Sequence, residues 1–163
     1  MPIEQKEIFI STIEKMYWIE VEMENLGIWE ARIELMEEEK ESIDILASDS
    51  ARHKIALEKW MKAANMEIPT SAPLGLPRKE FDFSGMDNPE MFKEIMKYEI
   101  LAKNIYKDII DTSPTVLNQV FPDKKQISEF LTNIEEIIED EERHENICRQ
   151  NVGGFQTIIG KGR

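Results

Sequence analysis

The chain is poor in the residues that break helices or cross-link loops. Its 163 residues include 7 Gly, 7 Pro and a single cysteine. One cysteine, Cys148, excludes an internal disulfide and any Cys-x-x-Cys iron or zinc site. Cys148 stands near the end of an apolar stripe, where a small buried residue is expected. No run approaches the roughly 18 apolar residues of a membrane span. The first residues, MPIEQKEIFI, lack the basic start and apolar stretch of a secretion signal, so a cytoplasmic location is the expectation. Basic residues are outnumbered, 20 Lys and Arg against 33 Asp and Glu, for a net charge of −13. That balance argues against nucleic acid and anionic membranes as partners. No short repeat is present.

What is abundant is Glu, Lys and Ile, with 41% hydrophobic and 33% charged residues overall. This composition favours one all-α domain with a core of its own. The most informative stretch is Ile134–Cys148, IEEIIEDEERHENIC. Ile127, Phe130, Leu131, Ile134, Ile137, Ile138 and Cys148 recur at three- and four-residue steps, as one face of a helix requires. Continuing the stripe past Ile138 reaches Glu141 and His144, a carboxylate and an imidazole where Leu or Ile belongs. An unpaired buried charge costs several kcal/mol, so partners must come from elsewhere in the chain.

Read in order, residues 4–38 form one long helix whose buried face is Ile10, Ile13, Tyr17, Val21, Ile28, Ala31 and Leu35, with Glu20 and Glu24 beside or on it. Glu37–Ser42 reads as a charged turn, with Ser42 able to cap the next helix. That second helix spans 41–65 and carries Ser50 and His53 in mid-stripe. Asp49, four residues before His53, is close enough on that helix to bond its ring. Residues 66–88 contain four prolines and two glycines when Pro89 is counted with them, and they are longer than a hairpin needs. They read as a crossover returning the chain to the other end, with Phe81 and Phe83 pinning it. Asn88 caps a third helix over 89–111, with Pro89 in its first turn and Glu99 interrupting its apolar face. Val116–Lys125 is a shorter connection with room for one helical turn. A fourth helix covers 125–151 and stops at Gly153-Gly154. The domain is then 1–151, with 152–163 as an aperiodic tail.

The organisation is a coarse internal symmetry. The first pair of helices carries Glu20 and then Ser50-x-x-His53; the second carries Glu99 and then Glu141-x-x-His144. Buried polar groups on four helices in two antiparallel pairs point to one shared site, in the ligand arithmetic of carboxylate-bridged two-metal centres. Oxygen ligands with two imidazoles favour iron or manganese, with zinc as a further option.

The chain here resembles the ferritin-like, rubrerythrin-type di-iron four-helix bundles, especially their small erythrin-like members. Leu46-Ala47-Ser48-Asp49-Ser50-Ala51-Arg52-His53 is similar to the family pattern Leu-Ala-x-Asp-Glu-x-x-His. Glu20, 33 residues before His53, suits the first-helix ligand better than Glu24. Glu99 with Tyr106 seven residues on, and Glu141-x-x-His144, match the second half. The resemblance implies Glu20 and His53 on one metal, Glu99 and His144 on the other, and Glu141 between them. It implies reduction of peroxide or dioxygen, with Tyr106 and Tyr98 lining the pocket and electrons from an external donor. One departure stands out: Ser50 occupies the place of the family's second bridging Glu, so a two-metal, one-metal or metal-free state all remain open. Metal handling, or a metal-free bundle acting as a structural or interaction protein, are the alternatives. Trp18 and Trp29 on the first helix make a homodimer the expected assembly.

Overall fold

A computed structural model of the chain describes residues 2–25, 35–73 and 85–161, and within these the side chains of 5–25, 35–73 and 85–152. The fold is all-α: among the described residues there are five helices and no strand. They are α1 (Pro2–Glu24), α2 (Glu37–Ala63), α3 (Asn88–Ile110), α4 (Pro114–Val120) and α5 (Lys124–Lys161). No helix among the described residues is long and apolar enough to cross a membrane.

Four long helices pack around one core. α1 lies against α2 and α3, and α5 lies against α3 and α2. Cross-helix bonds set the directions. Tyr17 reaches Glu58 while Glu24 reaches Lys54, so α1 and α2 are antiparallel. Along α2 and α5 the bonded pairs are Ser42/Asn151, Asp49/His144, His53/Asp140 and Trp60/Asn133. One partner's number falls as the other's rises, in constant register, so these helices are also antiparallel. Asn88, at the start of α3, donates to Glu39, at the start of α2. The connection from α2 to α3 therefore leaves one end of the helix group and re-enters at the other. The part of it that holds Phe81 and Phe83 lies outside the described residues, as do Ile28, Trp29 and Ala31 of the first helix as the sequence drew it.

The apolar positions that meet inside are Phe9, Ile13, Met16 and Met23 from α1; Ile43, Leu46, Leu57 and Met61 from α2; Phe92, Ile95 and Ala102 from α3; and Phe130, Ile134 and Ile137 from α5. Val116, Leu117 and Val120 of α4, with Phe121, close one end. There Phe121, Phe130 and Trp60 form an aromatic cluster with ring centroids 4.9 to 6.0 Å apart.

Several boundaries differ from the sequence reading. The first helix, described as far as Glu24, does not continue to 38, because residues 35–36 are outside any helix and Glu37–Ser42 is no turn but the opening of α2. Three glutamates in that first turn complement the positive helix end. Met36 is the cap residue, its N–H bonded to the Glu39 carboxylate, while Ser42 bonds back to the Glu38 carbonyl within the helix. The buried face of α1 keeps Ile13 and Tyr17 and adds Phe9 and Met16, while Ile10 and Val21 are only half-buried. Asn65, with φ 56°, turns the chain out of α2, and Met66 N–H bonds Met61 O across it. Asp87, not Asn88, caps α3 by accepting from the Glu90 N–H at 2.8 Å. The short connection does hold a helix, α4. α5 runs through Gly153 and Gly154 to Lys161 instead of stopping near 151. Two glycines cost a helix about 2 kcal/mol, which an established helix tolerates because extension is far easier than nucleation.

Candidate metal centre

Each of the five sequence-selected residues interrupts an otherwise apolar helix face, four of them in mid-helix and Glu20 one turn from the end of α1. Glu20 lies between Met16 and Met23 on α1, and Glu99 between Ile95 and Ala102 on α3. His53 lies between Leu46 and Leu57 on α2, and Glu141 and His144 between Ile137 and Cys148 on α5. All five are at most 2% exposed. Helix packing dictates this, since a residue on the i, i+3, i+4 stripe is carried inward by its apolar neighbours.

Inside, they form two groups that share one residue. Glu20, His53 and Glu141 make the first, and Glu99, Glu141 and His144 the second. In each, one ligand atom per residue lies within 4.8 Å of the others. The imidazole centroids are 5.9 Å apart with the rings 30° from parallel. His53 Nδ1 is 2.8 Å from Glu20 Oε2 and 3.0 Å from Glu141 Oε1. His144 Nδ1 is 3.1 Å from Glu99 Oε2 and 3.7 Å from Glu141 Oε2.

His144 Nδ1 bonds Glu99 Oε2, but the other inner atoms are close without aligned hydrogen bonds among themselves. His53 Nδ1, Glu99 Oε1 and both Glu141 oxygens are fully buried and have no aligned partner. Unsatisfied buried polar atoms are rare, and each one needs a reason. Here four of them sit in one cluster, as lone pairs facing a shared cation would.

The outer nitrogens are held by residues that the sequence reading assigned differently or overlooked. His53 Nε2 donates to Asp140 at 2.8 Å, and His144 Nε2 donates to Asp49 at 2.8 Å. Asp49 thus serves the histidine of the facing helix, not His53 on its own. The antiparallel α2/α5 register places Asp49 level with His144 and Asp140 level with His53. Asp140 stands four residues before His144 as Asp49 stands four before His53, a spacing in the sequence that could have revealed it. Arg52 bonds both aspartates, at 2.6 Å to Asp49 and 3.4 Å to Asp140, and Arg143 bonds Asp140. With Nε2 committed outward, each ring presents Nδ1 to the centre, and an aspartate partner of this kind makes the ring a better ligand.

Electrostatics follow from this crowding. Burial pulls both histidines down, but Glu141 with Glu20 or Glu99 overrides it and raises His53 to about 9 and His144 to about 11. Glu99 is pushed well above the usual carboxylate range by burial and the charge of Glu141, and Glu20 is raised for the same reasons. For Glu141, burial is outweighed by its close approach to Glu99 and the two histidines, so its carboxyl is held far below that range. Protons on the imidazoles thus supply the positive charge that so many inward carboxylates require.

Tyr106, fully buried, donates to Glu20 Oε2 at 2.9 Å. Tyr98 does not join it; it is half-buried on the same helix, near the charges of Glu22 and Glu94. Glu24 is half-buried and paired with Lys54, which leaves Glu20 as the inward carboxylate of α1. Ser50 is 1% exposed, three residues before His53, just as Glu141 is three before His144. The fold and the site together define a helical protein with a buried carboxylate–histidine cluster able to hold metal. Comparison with protein-family models, curated proteins and solved structures finds no match.

Proposed function

We propose that this protein is a rubrerythrin-like, ferritin-like metal protein whose four long helices hold up to two transition-metal ions. Iron is the first choice, with manganese or zinc as alternatives. Glu20, His53, Glu99, Glu141 and His144 are the ligands, and Glu141 is shared. The observation that carries this reading is the set of buried, unpartnered atoms on His53, Glu99 and Glu141.

The chain's own residues then have distinct tasks. Asp140 and Asp49 fix the ring orientation of His53 and His144, and the arginines hold the aspartates in place. Tyr106 keeps its proton, because burial and the nearby glutamates raise it well above its ordinary value, and uses it to orient Glu20. Bound iron would supply one-electron steps for the reduction of peroxide or dioxygen. The electron donor is external, since one cysteine cannot build an iron–sulfur or rubredoxin-like module. The proposed setting is the cytoplasm, and the proposed assembly a homodimer. One observation favours a second reading, a metal-free structural or interaction protein: each imidazolium already faces carboxylates that neutralise it.

Metal analysis of untagged protein separates the two. The expected result is about one to two iron, manganese or zinc ions per chain, lost in Glu141→Ala. Ferrous-loaded protein should be oxidised stoichiometrically by peroxide, and Glu141→Ala should not. Protein that stays metal-free after incubation with ferrous, manganous and zinc ions in turn would sink the proposal.

A further inference from the structure

The two halves of the site differ in one inward-facing residue. Asp49-Ser50-Ala51-Arg52-His53 on α2 corresponds to Asp140-Glu141-Glu142-Arg143-His144 on α5. The aspartates play the same part in each, bonding the facing histidine, and the arginines hold them. Ala51 is half-buried and Glu142 exposed, so neither faces the centre. At the remaining position a carboxylate on one helix is replaced by a hydroxyl on the other, and both residues are 1% exposed.

Charge makes that replacement consequential. Asp49 and Asp140 are offset by Arg52 and Arg143. That leaves three inward carboxylates, Glu20, Glu99 and Glu141, with histidines that must be neutral to bind metal. Two divalent ions would bring four positive charges against three negative ones. A single uncompensated charge in a buried site is costly, and no further acidic side chain among the described residues faces the centre to absorb it. The residue missing from the symmetric pattern is also the missing charge.

We propose that the Ser50 side of the centre binds one small monovalent carboxylate, of the formate or acetate class, and that the second divalent ion binds together with it. This rests on the metal-binding reading above. The anion supplies the charge and the carboxylate oxygens that Ser50, at the position equivalent to Glu141, does not. The centre is then a carboxylate-dependent two-metal site, and a one-metal site without that anion.

The test is a titration of metal-free protein with manganous ion, monitored by calorimetry and electron paramagnetic resonance, in a carboxylate-free sulfonate buffer with and without excess acetate. The first equivalent should bind in both. The second should bind at least about tenfold more tightly with acetate. Ser50→Glu should take up two equivalents without acetate and show no acetate response. Ser50→Gln, which fills the space without adding charge, should bind one equivalent and ignore acetate. A wild-type second equivalent that is indifferent to acetate, bound or not, overturns the proposal and leaves the metal reading standing. If no manganous, ferrous or zinc ion binds the wild type or Ser50→Glu, both fall. Should Ser50→Glu fail to fold by circular dichroism, the wild-type acetate response decides the matter.

Discussion

At Tyr106 a phenol and a carboxylate meet where neither touches water. Tyr106→Phe removes the 2.9 Å donor to Glu20 Oε2 at nearly unchanged volume and leaves it only His53 Nδ1 beside it; losing a hydrogen bond to a buried charged group costs about 1–3 kcal/mol. Urea unfolding of metal-free protein should show a loss in that range. Cys148 tests burial differently. Desolvation first, and the charges of Glu99, Glu141 and Glu145 next, push its thiol far above its ordinary value. The thiolate is the reactive form, so raising the pH to about 8–9 should not make it react with a disulfide reagent. Labelling should appear only on unfolding. Rapid labelling of folded protein would mean that α5 opens around the site. Burial of His53, Glu99, Glu141 and His144 was legible at this scale, because a polar residue on a strict apolar stripe has nowhere else to go. Asp140 was not, since its role depends on what faces it.

Among the elements, the helices were legible in number and approximate place, and their ends were not. Glu37–Ser42 looks like a solvated turn because it is charged throughout, yet acids in a first helical turn are stabilised by the unpaired N–H groups there. Likewise Asn88 looks like the cap because Pro89 follows it, but Asp87 makes the bond. Asp87→Ala should destabilise the protein by about 1 kcal/mol in denaturant titrations, and Asp87→Asn by less. An Asp87→Ala protein as stable as the wild type would show that Asp87 is not the cap. The α2/α5 pairing matters most, because its constant register crosses the aspartate–histidine pairs between helices.

Across the whole molecule, the aromatic cluster and the polar centre occupy different levels of the same helices. Phe130, 0% exposed against Phe9, Trp60 and Phe121, lies about three turns from Glu141. Phe130→Ala should cost about 3–5 kcal/mol of stability, seen as a lower urea midpoint, while metal stoichiometry of the folded protein stays unchanged. A simultaneous loss of metal would show that packing at that end holds the ligands in place. This division of labour is physical: apolar burial at the helix ends offsets the cost of keeping carboxylates in the middle.

The sequence by itself determined that the chain is helical, that His53, Glu99, Glu141 and His144 turn inward, and that Ser50 breaks the symmetry between halves. Periodicity and hydrophobicity are local properties, and they suffice for that. Which aspartate holds which histidine was decided only by helix packing; Glu20 over Glu24 and the sharing of Glu141 were expected from the family resemblance, not from periodicity, and packing is what brings them about. Those facts are distances between residues as much as 95 positions apart, and no spacing along one helix encodes the register of another.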